Sequence, residues 1–444
     1  MENYKIIVGI DIGKEINLIS FLHISKKEEI TKRLKIKNNI EGFYTLLEAL
    51  NKITKENNCK VEDVLIGLES TGSYWINLYH FFTRRNYKVV MVKNRLVKLK
   101  REAKYSQKGK NDSIDCYCIA LVLKEGDYFE IREKQVGFGS LQRMTRTKED
   151  YIKVKVQNKN RLRSWLDVNN PIYFRVFKSL DSILGLAIIK KFPSPWDIIN
   201  IDRNSLIEIL KEDVKRVDLR CLDEYIYLCN ELYKDVRNIN EGERKEIKCY
   251  LDQYDILEKA INDLEESIEC LAKETVPAYE KLIKIKGIGK TEIISLISEI
   301  GFIENFPNAR ALQSFLGLGI KADMSGSMSK ESKITKAGNR TGRKILYHIS
   351  MLLITHNDDW RKVYSYYKSY NRKYQNINKE MLIAVACKFL RVVYGILKYN
   401  IEFDREELFR GYDFTKCNKE KFIKEYIGKS KRTISEEEIK ELFG

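Results

Sequence analysis

The chain has 444 residues, a length that accommodates two or three domains, and 43% of them are hydrophobic, enough for a real core. A formal charge of +17 points to a polyanionic partner, nucleic acid first. No apolar run reaches the about 18 residues of a membrane helix, and Met1 leads straight into a strand pattern without a secretory signal, so the reading is a cytoplasmic protein. Nine cysteines without a C-x-x-C pair, and four histidines without zinc-ligand spacing, exclude a zinc module and a disulfide scaffold and predict reduced, mostly buried thiols.

Residues 4–12 (Y-K-I-I-V-G-I-D-I) are rich in β-branched side chains and read as a strand. Gly13 and Lys14 make a turn, and residues 16–24 and 33–37 complete an antiparallel meander. Residues 41–57 carry Phe43, Leu46, Leu47, Leu50 and Ile53 at helical spacing. Residues 64–69 form a buried strand ending at Glu69, residues 75–84 a helix and residues 88–92 a strand. This alternation defines an α/β domain over residues 1–130.

Residues 131–275 read as helical. A long basic helix over 141–166 stops at Asn169-Asn170-Pro171, short helices follow, and residues 223–236 and 241–273 are helices. The last carries Ile247, Leu251, Ile256, Leu257, Ile261, Leu264 and Ile268, a stripe for helix pairing, either inside one bundle or as a projecting coiled coil that dimerises. Residues 276–400 form a mainly α domain, and the tail 401–444 has helical spacing but no functional reading.

The chemistry concentrates in two places. Asp11 lies inside the first strand and Glu69 ends a central one; a carboxylate there is costly unless paired or metal-bound, although a turn cap and a surface carboxylate are the structural alternatives. Asp112 and Asp115 share a helix face and repel unless a cation sits between them, and magnesium prefers such oxygen ligands. Four carboxylates of this kind could clamp two ions about 3.5–4 Å apart for in-line phosphoryl chemistry. Residues 91–110 hold Lys93, Arg95, Lys98, Lys100, Arg101, Lys104, Lys108 and Lys110 against Glu102 alone, a phosphate-contacting segment rather than a solvated loop. Further on, Lys286-Gly287-Ile288-Gly289-Lys290 is a helix-hairpin-helix pattern whose backbone N–H groups can approach a phosphate, or else a tight turn between packed helices. A polar loop then carries Ser325-Gly326-Ser327, with Lys336, Arg340, Arg343 and Lys344 after it.

Asp11 in G-I-D-I-G-K, then Glu69-Ser70-Thr71-Gly72-Ser73-Tyr74-Trp75, then Lys110-Asn111-Asp112-Ser113-Ile114-Asp115, resembles the DEDD transposases of insertion sequences. These are bridge-RNA-guided recombinases with a RuvC-like, ribonuclease-H-type domain. The order Gly287-Ile288-Gly289, Phe315-Leu316-Gly317-Leu318, Ser325-Gly326 and Ile334-Thr335-Lys336-Ala337-Gly338-Asn339-Arg340 resembles their C-terminal domain. The likeness covers residues 4–120 and 280–400; Cys116 replaces a usual alanine, and Gly319 stands where a proline is frequent. It implies that Asp11, Glu69, Asp112 and Asp115 hold Mg2+ as two ions, with Mn2+ able to substitute. It also implies that Ser325 (Ser327 competing) is a nucleophile forming a 5′-phosphoserine link to DNA. A serine needs activation, and metal is a better activator than His348. The partners implied are donor and target DNA, a guide RNA and further copies of the chain as a dimer or tetramer. A resolvase-like nuclease using water, and a non-catalytic nucleic-acid-binding scaffold, are the other readings.

Overall fold

The computed structural model describes residues 4–25, 29–30, 32–69, 72, 74–105, 112–131, 133–199, 201–232, 237–321, 333–369, 377–428 and 433–443. The chain divides into two compact units, Met1–Gly139 and Ser140–Gly444.

In the first unit, β1 (Ile6–Ile12), β2 (Ile16–His23) and β3 (Leu34–Lys37) form the expected antiparallel meander, followed by α1 (Ile40–Glu56). Then come β4 (Val64–Glu69), α2 (Ile76–Thr83), β5 (Lys88–Val92), α3 (Asn94–Tyr105), α4 (Asp112–Lys124) and the two-residue β6 (Phe129–Glu130). The sheet order is β3-β2-β1-β4-β5-β6; β1, β4 and β5 run parallel to their neighbours in that trio, and the outer strands are antiparallel. Side chains alternate across a strand with period two. Ile6, Val8 and Ile10 therefore pack with Phe43, Leu46, Leu78 and Phe82 beneath α1 and α2, whereas Ile7 packs with Leu65, Val90, Val97, Ile119 and Leu123 beneath α3 and α4. The basic segment, to which the sequence assigned no element, is mostly the helix α3, whose Val97 is buried in that second layer.

Helix α4 lies directly on the strands because Gly9 and Gly67, paired in register, present no side chain to it. A Cβ on Gly9 would stand 2.2 Å from the Cys116 carbonyl oxygen and 2.5 Å from the Ala120 nitrogen. Both are helix backbone and cannot rotate aside.

Among its described residues the second unit is helical apart from one short ribbon. The long helix α5 (Glu133–Asn169) runs into it, and α6 (Tyr173–Val176), α7 (Ile183–Lys191), α8 (Arg203–Lys211) and α9 (Leu219–Leu232) gather around Trp165, Tyr173 and Tyr225. Helix α10 (Glu241–Thr275) buries Ile247, Leu251, Tyr254, Ile261, Ile268, Ala272 and Thr275, a 4-3 repeat. The repeat is completed by Glu258 and Glu265, which meet Lys155 and Lys148 of α5, so the two helices pair antiparallel. Ile256, expected in the stripe, is 67% exposed.

Then follow α11 (Tyr279–Leu282), α12 (Lys290–Ile300), α13 (Ala309–Phe315), the ribbon β7 (Ile320–Lys321) with β8 (Lys333–Ile334), α14 (Arg340–His356), α15 (Asp358–Ser369) and α16 (Ile377–Tyr399). The tail folds as α17 (Arg405–Phe409), α18 (Lys419–Ile427) and α19 (Glu436–Phe443). Phe414, Phe422 and Tyr426 of the tail bury together against Tyr366 of α15, and Lys362 pairs with Glu438 at 2.9 Å. No cysteine is in a disulfide; four are buried, and Cys249 and Cys270 are exposed. No helix among the described residues is long and apolar enough to cross a membrane.

Gly9→Ala forces α4 off the sheet, because both atoms it meets are backbone. The expected loss of stability is about 3 kcal/mol or more, read as a lower denaturant midpoint; a midpoint equal to the parent's would mean that the close approach is not needed.

Candidate active site

Asp11 and Glu69 come from adjacent parallel strands. The last registered pair of β1 and β4 is Ile10 with Leu68, so the two carboxylates stand one residue further on, at matching strand ends. By the alternation of each strand they share the face of Gly9 and Gly67, which is the face α4 crosses. Both are half-buried and both have partners.

Helix α4 brings the other pair. Asp112 is its first residue, with a side chain outside the description, and Asp115 lies one turn in. The next residue, Cys116, is buried with its carbonyl against Gly9 of β1. Burial pushes its thiol up to about 12; the Arg33 guanidinium opposes that shift, and the Glu29 and Asp11 carboxylates add to it. Asp11 thus acts electrostatically on the first turns of α4. Arg33 and Glu29, which pair at 3.0 Å, belong to this neighbourhood, and no sequence motif marked them.

Asp115 is 2% exposed, and Arg101 of α3 answers its charge: Nη1 donates to Oδ1 at 2.7 Å and to Oδ2 at 2.8 Å. The Nε of Arg101 is buried without a hydrogen-bond partner, so the guanidinium is held there by the carboxylate rather than by a full set of acceptors. As donors, Asp11 and Glu69 suit a hard cation, while Asp115 does not while Arg101 holds it. Among the described residues no group of three or more His, Cys, Asp or Glu could hold a metal ion.

The basic segment is divided in use. Lys93, Arg95 and Lys98 are exposed, Lys98 lying 3.8 Å from Glu102. Lys100 pairs with Glu125, and Lys104 donates to the Tyr117 hydroxyl at 2.9 Å. Lys110 lies outside the described residues.

In the second unit, Gly287 has φ +90 in the turn before α12, and Gly289 is that helix's N-cap. The carbonyl of Lys286 accepts from Asn357, and Lys290 pairs with Glu269 at 2.9 Å on the surface, a bond worth little in water. Ser325 and Ser327 lie outside the described residues, but the stem of their loop does not. Thr335 N donates to Gly319 O at 2.7 Å, and Asn339 N to Phe315 O at 2.8 Å. Gly338 has φ +138, and a Cβ there would stand 2.3 Å from the Phe315 oxygen. Arg343, one of the residues expected to contact nucleic acid, donates from Nη1 to the carbonyls of Leu316 (3.2 Å) and Lys336 (3.1 Å), clamping the two sides of the stem. Lys336 and Arg340 are exposed beside it.

Below the stem, Glu299 is 3% exposed and fully committed. Arg146 donates to both its oxygens at 2.8 and 2.9 Å, and Asn339, which also caps α14, donates at 2.6 Å. Glu299 carries no sequence motif; it sits in an apolar helix pattern, which was the one available hint.

Known proteins match in two stretches. A model of DEDD transposases of IS110, described as "Transposase", matches residues 8–171, and one described as "Transposase IS116/IS110/IS902 family" matches residues 279–365. The chain is 28% identical over 127 residues to the "Pilin gene-inverting protein" of Moraxella bovis, and equally to that of Moraxella lacunata. Each match covers 28% of this chain and 38% of the relative.

Arg101→Ala strands a buried carboxylate and is expected to cost about 3–5 kcal/mol. Adding Asp115→Asn should recover much of that loss, which a double-variant cycle in denaturant measures. Additive losses would mean that the two side chains are not coupled.

Proposed function

This chain belongs to the IS110 family of DEDD transposases, and we propose that it is a DNA transposase or recombinase that cuts and rejoins strands through a serine. The observation that supports this best is the placing of Asp11 and Glu69 at matching ends of parallel β1 and β4, on the face crossed by the helix of Asp112 and Asp115. We read these four as the carboxylate tetrad of a ribonuclease-H-like, RuvC-type domain. The family uses divalent metal; magnesium, as two ions and replaceable by manganese, is our choice because all four donors are carboxylate oxygens. When bound, it would supply positive charge to the oxygens of the scissile phosphate. Asp11, Glu69, Asp112 and Asp115 would hold it, Asp115 once Arg101 lets go.

Ser325 Oγ attacks phosphorus, and the bond from phosphorus to the 3′ oxygen breaks. The departing oxygen takes up a proton, the serine proton having been lost, and leaves as a 3′-hydroxyl. The DNA stays joined to the chain as a 5′-phosphoserine. Attack by another strand's 3′-hydroxyl reverses the step and conserves the bond. Arg343 ties together the two sides of the stem from which the loop of Ser325 leaves. The relatives are named for inverting a gene, which requires rejoining. That favours the serine over hydrolysis by water.

In this reading residues 1–130 carry the tetrad, 131–275 assemble a homodimer or tetramer, and 276–400 carry the serine. A guide RNA would supply sequence recognition, leaving the protein to read duplex shape and backbone through its basic surface and the glycine turn before α12.

Ser325→Ala is expected to abolish the detergent-stable adduct with labelled DNA, and Ser327→Ala to keep it; an adduct that survives Ser325→Ala moves the nucleophile elsewhere. Chelation by EDTA, or Asp11→Asn, should lower strand cleavage about 10³-fold or more, with added Mn2+ restoring only the chelated sample. Cleavage that persists in EDTA would remove the metal from the reading.

A further inference from the structure

On the opposite face of the sheet from α4, an open cleft of about 510 Å3 lies between the start of α1 and the length of α2. Phe43 and Phe81 form its apolar floor, their rings 5.6 Å apart. Its polar lining is Asn38, Asn39, Asn77, His80, Arg84 and Arg85, with no carboxylate among them. Nothing in the tetrad or the serine loop uses these residues.

Three features define what would fit. Arg84 stands exposed at the rim and offers a charge to an anion. Arg85 is fixed rather than free: Nη1 donates to the Phe81 carbonyl at 2.9 Å, Nη2 to the Tyr44 hydroxyl at 3.4 Å, and the guanidinium carbon lies 3.7 Å over the Phe81 ring. A guanidinium held over a ring can offer its plane to a flat, electron-rich group. Beside it Tyr44, 48% exposed, and Ile40, 51% exposed, have large apolar surface in water. A free phosphate would use Arg84 alone and leave this surface idle. A nucleotide within a strand uses both, its phosphate on Arg84 and its base on the Arg85 and Tyr44 surface.

The cleft is also tied to the strand ends. Asn38 Nδ2 donates to the carbonyl of Gly13 at 2.9 Å and to that of Tyr74 at 3.2 Å, and its Oδ1 accepts from the buried Asn17 at 3.2 Å. Gly13 lies two residues after Asp11, and Tyr74 five after Glu69. One cleft side chain therefore holds both loops that leave the carboxylate-bearing strands.

We propose that this cleft is a subsite for one unpaired nucleotide of a nucleic-acid strand running past the carboxylates. It rests on the reading of the chain as a nucleic-acid enzyme but not on the serine or on metal, and binding alone tests it. The full chain carrying Asp11→Asn, so that no strand is cut, is titrated into labelled single-stranded DNA and RNA of about 12 nucleotides and followed by fluorescence anisotropy. Arg84→Glu is expected to weaken one or both strands about tenfold and to reduce the salt slope by about one. Arg84→Lys is expected to keep most of the affinity, and Tyr44→Ala to weaken binding without changing the salt slope. Weakening of the DNA alone assigns the subsite to a DNA strand, and of the RNA alone to an RNA strand. Lys52→Glu makes the same charge change on an exposed part of α1 outside the cleft lining and is expected to have little effect. The proposal is overturned if Arg84→Glu binds both strands as the parent does, or if Lys52→Glu weakens them equally.

Discussion

The contact of α4 with the bare backbone of Gly9 is the constraint from which the first unit follows. A helix packed on a sheet is normally held off it by the side chains between them. Here the Cys116 carbonyl would lie 2.2 Å from a Cβ on Gly9, so the helix has sunk into the strand. That approach brings the first turn of α4 to the ends of β1 and β4. It also buries Asp115, and a buried charge must be answered. Arg101 answers it, which fixes the position of α3 and in turn sets which basic side chains remain outside. A chain of consequences thus runs from a missing methyl group to the surface charge pattern.

The second unit uses the same device at different positions. Glu299 lies between α5, α12 and the start of α14 with Arg146 and Asn339 as partners, and Glu258 and Glu265 interrupt the apolar seam of α10 opposite lysines of α5. Buried or half-buried pairs of this kind add little net stability compared with apolar packing, since desolvation offsets the attraction. What they set is register. An apolar seam alone lets α5 and α10 slide by a heptad, whereas Lys148 and Lys155 meet their glutamates in one alignment. Glu299 similarly admits one placement of the α14 N-terminus, and with it one geometry for the base of the serine loop.

The sheet was legible in the sequence because Ile6 to Ile12 and Val64 to Glu69 are continuous β-branched or apolar runs, and Asp11 and Glu69 stood out against them. Helix α1 was legible from its apolar stripe. The segment over α3 was not, because eight cations in twenty residues hide the single stripe of Leu96, Val97 and Arg101 that faces inward. The structural part of Arg343 was hidden for a related reason: it stood out as a cation beside a polar loop, but its carbonyl acceptors lie 27 and 7 residues away in the chain. Ile256, Leu257 and Leu264 fit a broad helical stripe, but the seam follows a strict 4-3 repeat with two glutamates in it, and a search for apolar residues passes over those.

Net charge therefore overstates the surface available to nucleic acid. Of the described cations between residues 93 and 104, Lys100, Arg101 and Lys104 are engaged with Glu125, Asp115 and Tyr117, and Lys98 leans toward Glu102. Lys93 and Arg95 are exposed and stand outside these pairings, a weaker patch than the sequence suggests. By contrast the α1–α2 cleft shows no unusual run of charge in the sequence, yet it gathers His80, Arg84 and Arg85 with no carboxylate in its lining. Local charge is decided by which carboxylates the fold delivers to each cation. Cations that meet carboxylates lose part of their field to them, whereas Arg84 and Arg85, in a cleft lined by none, keep theirs for a phosphate.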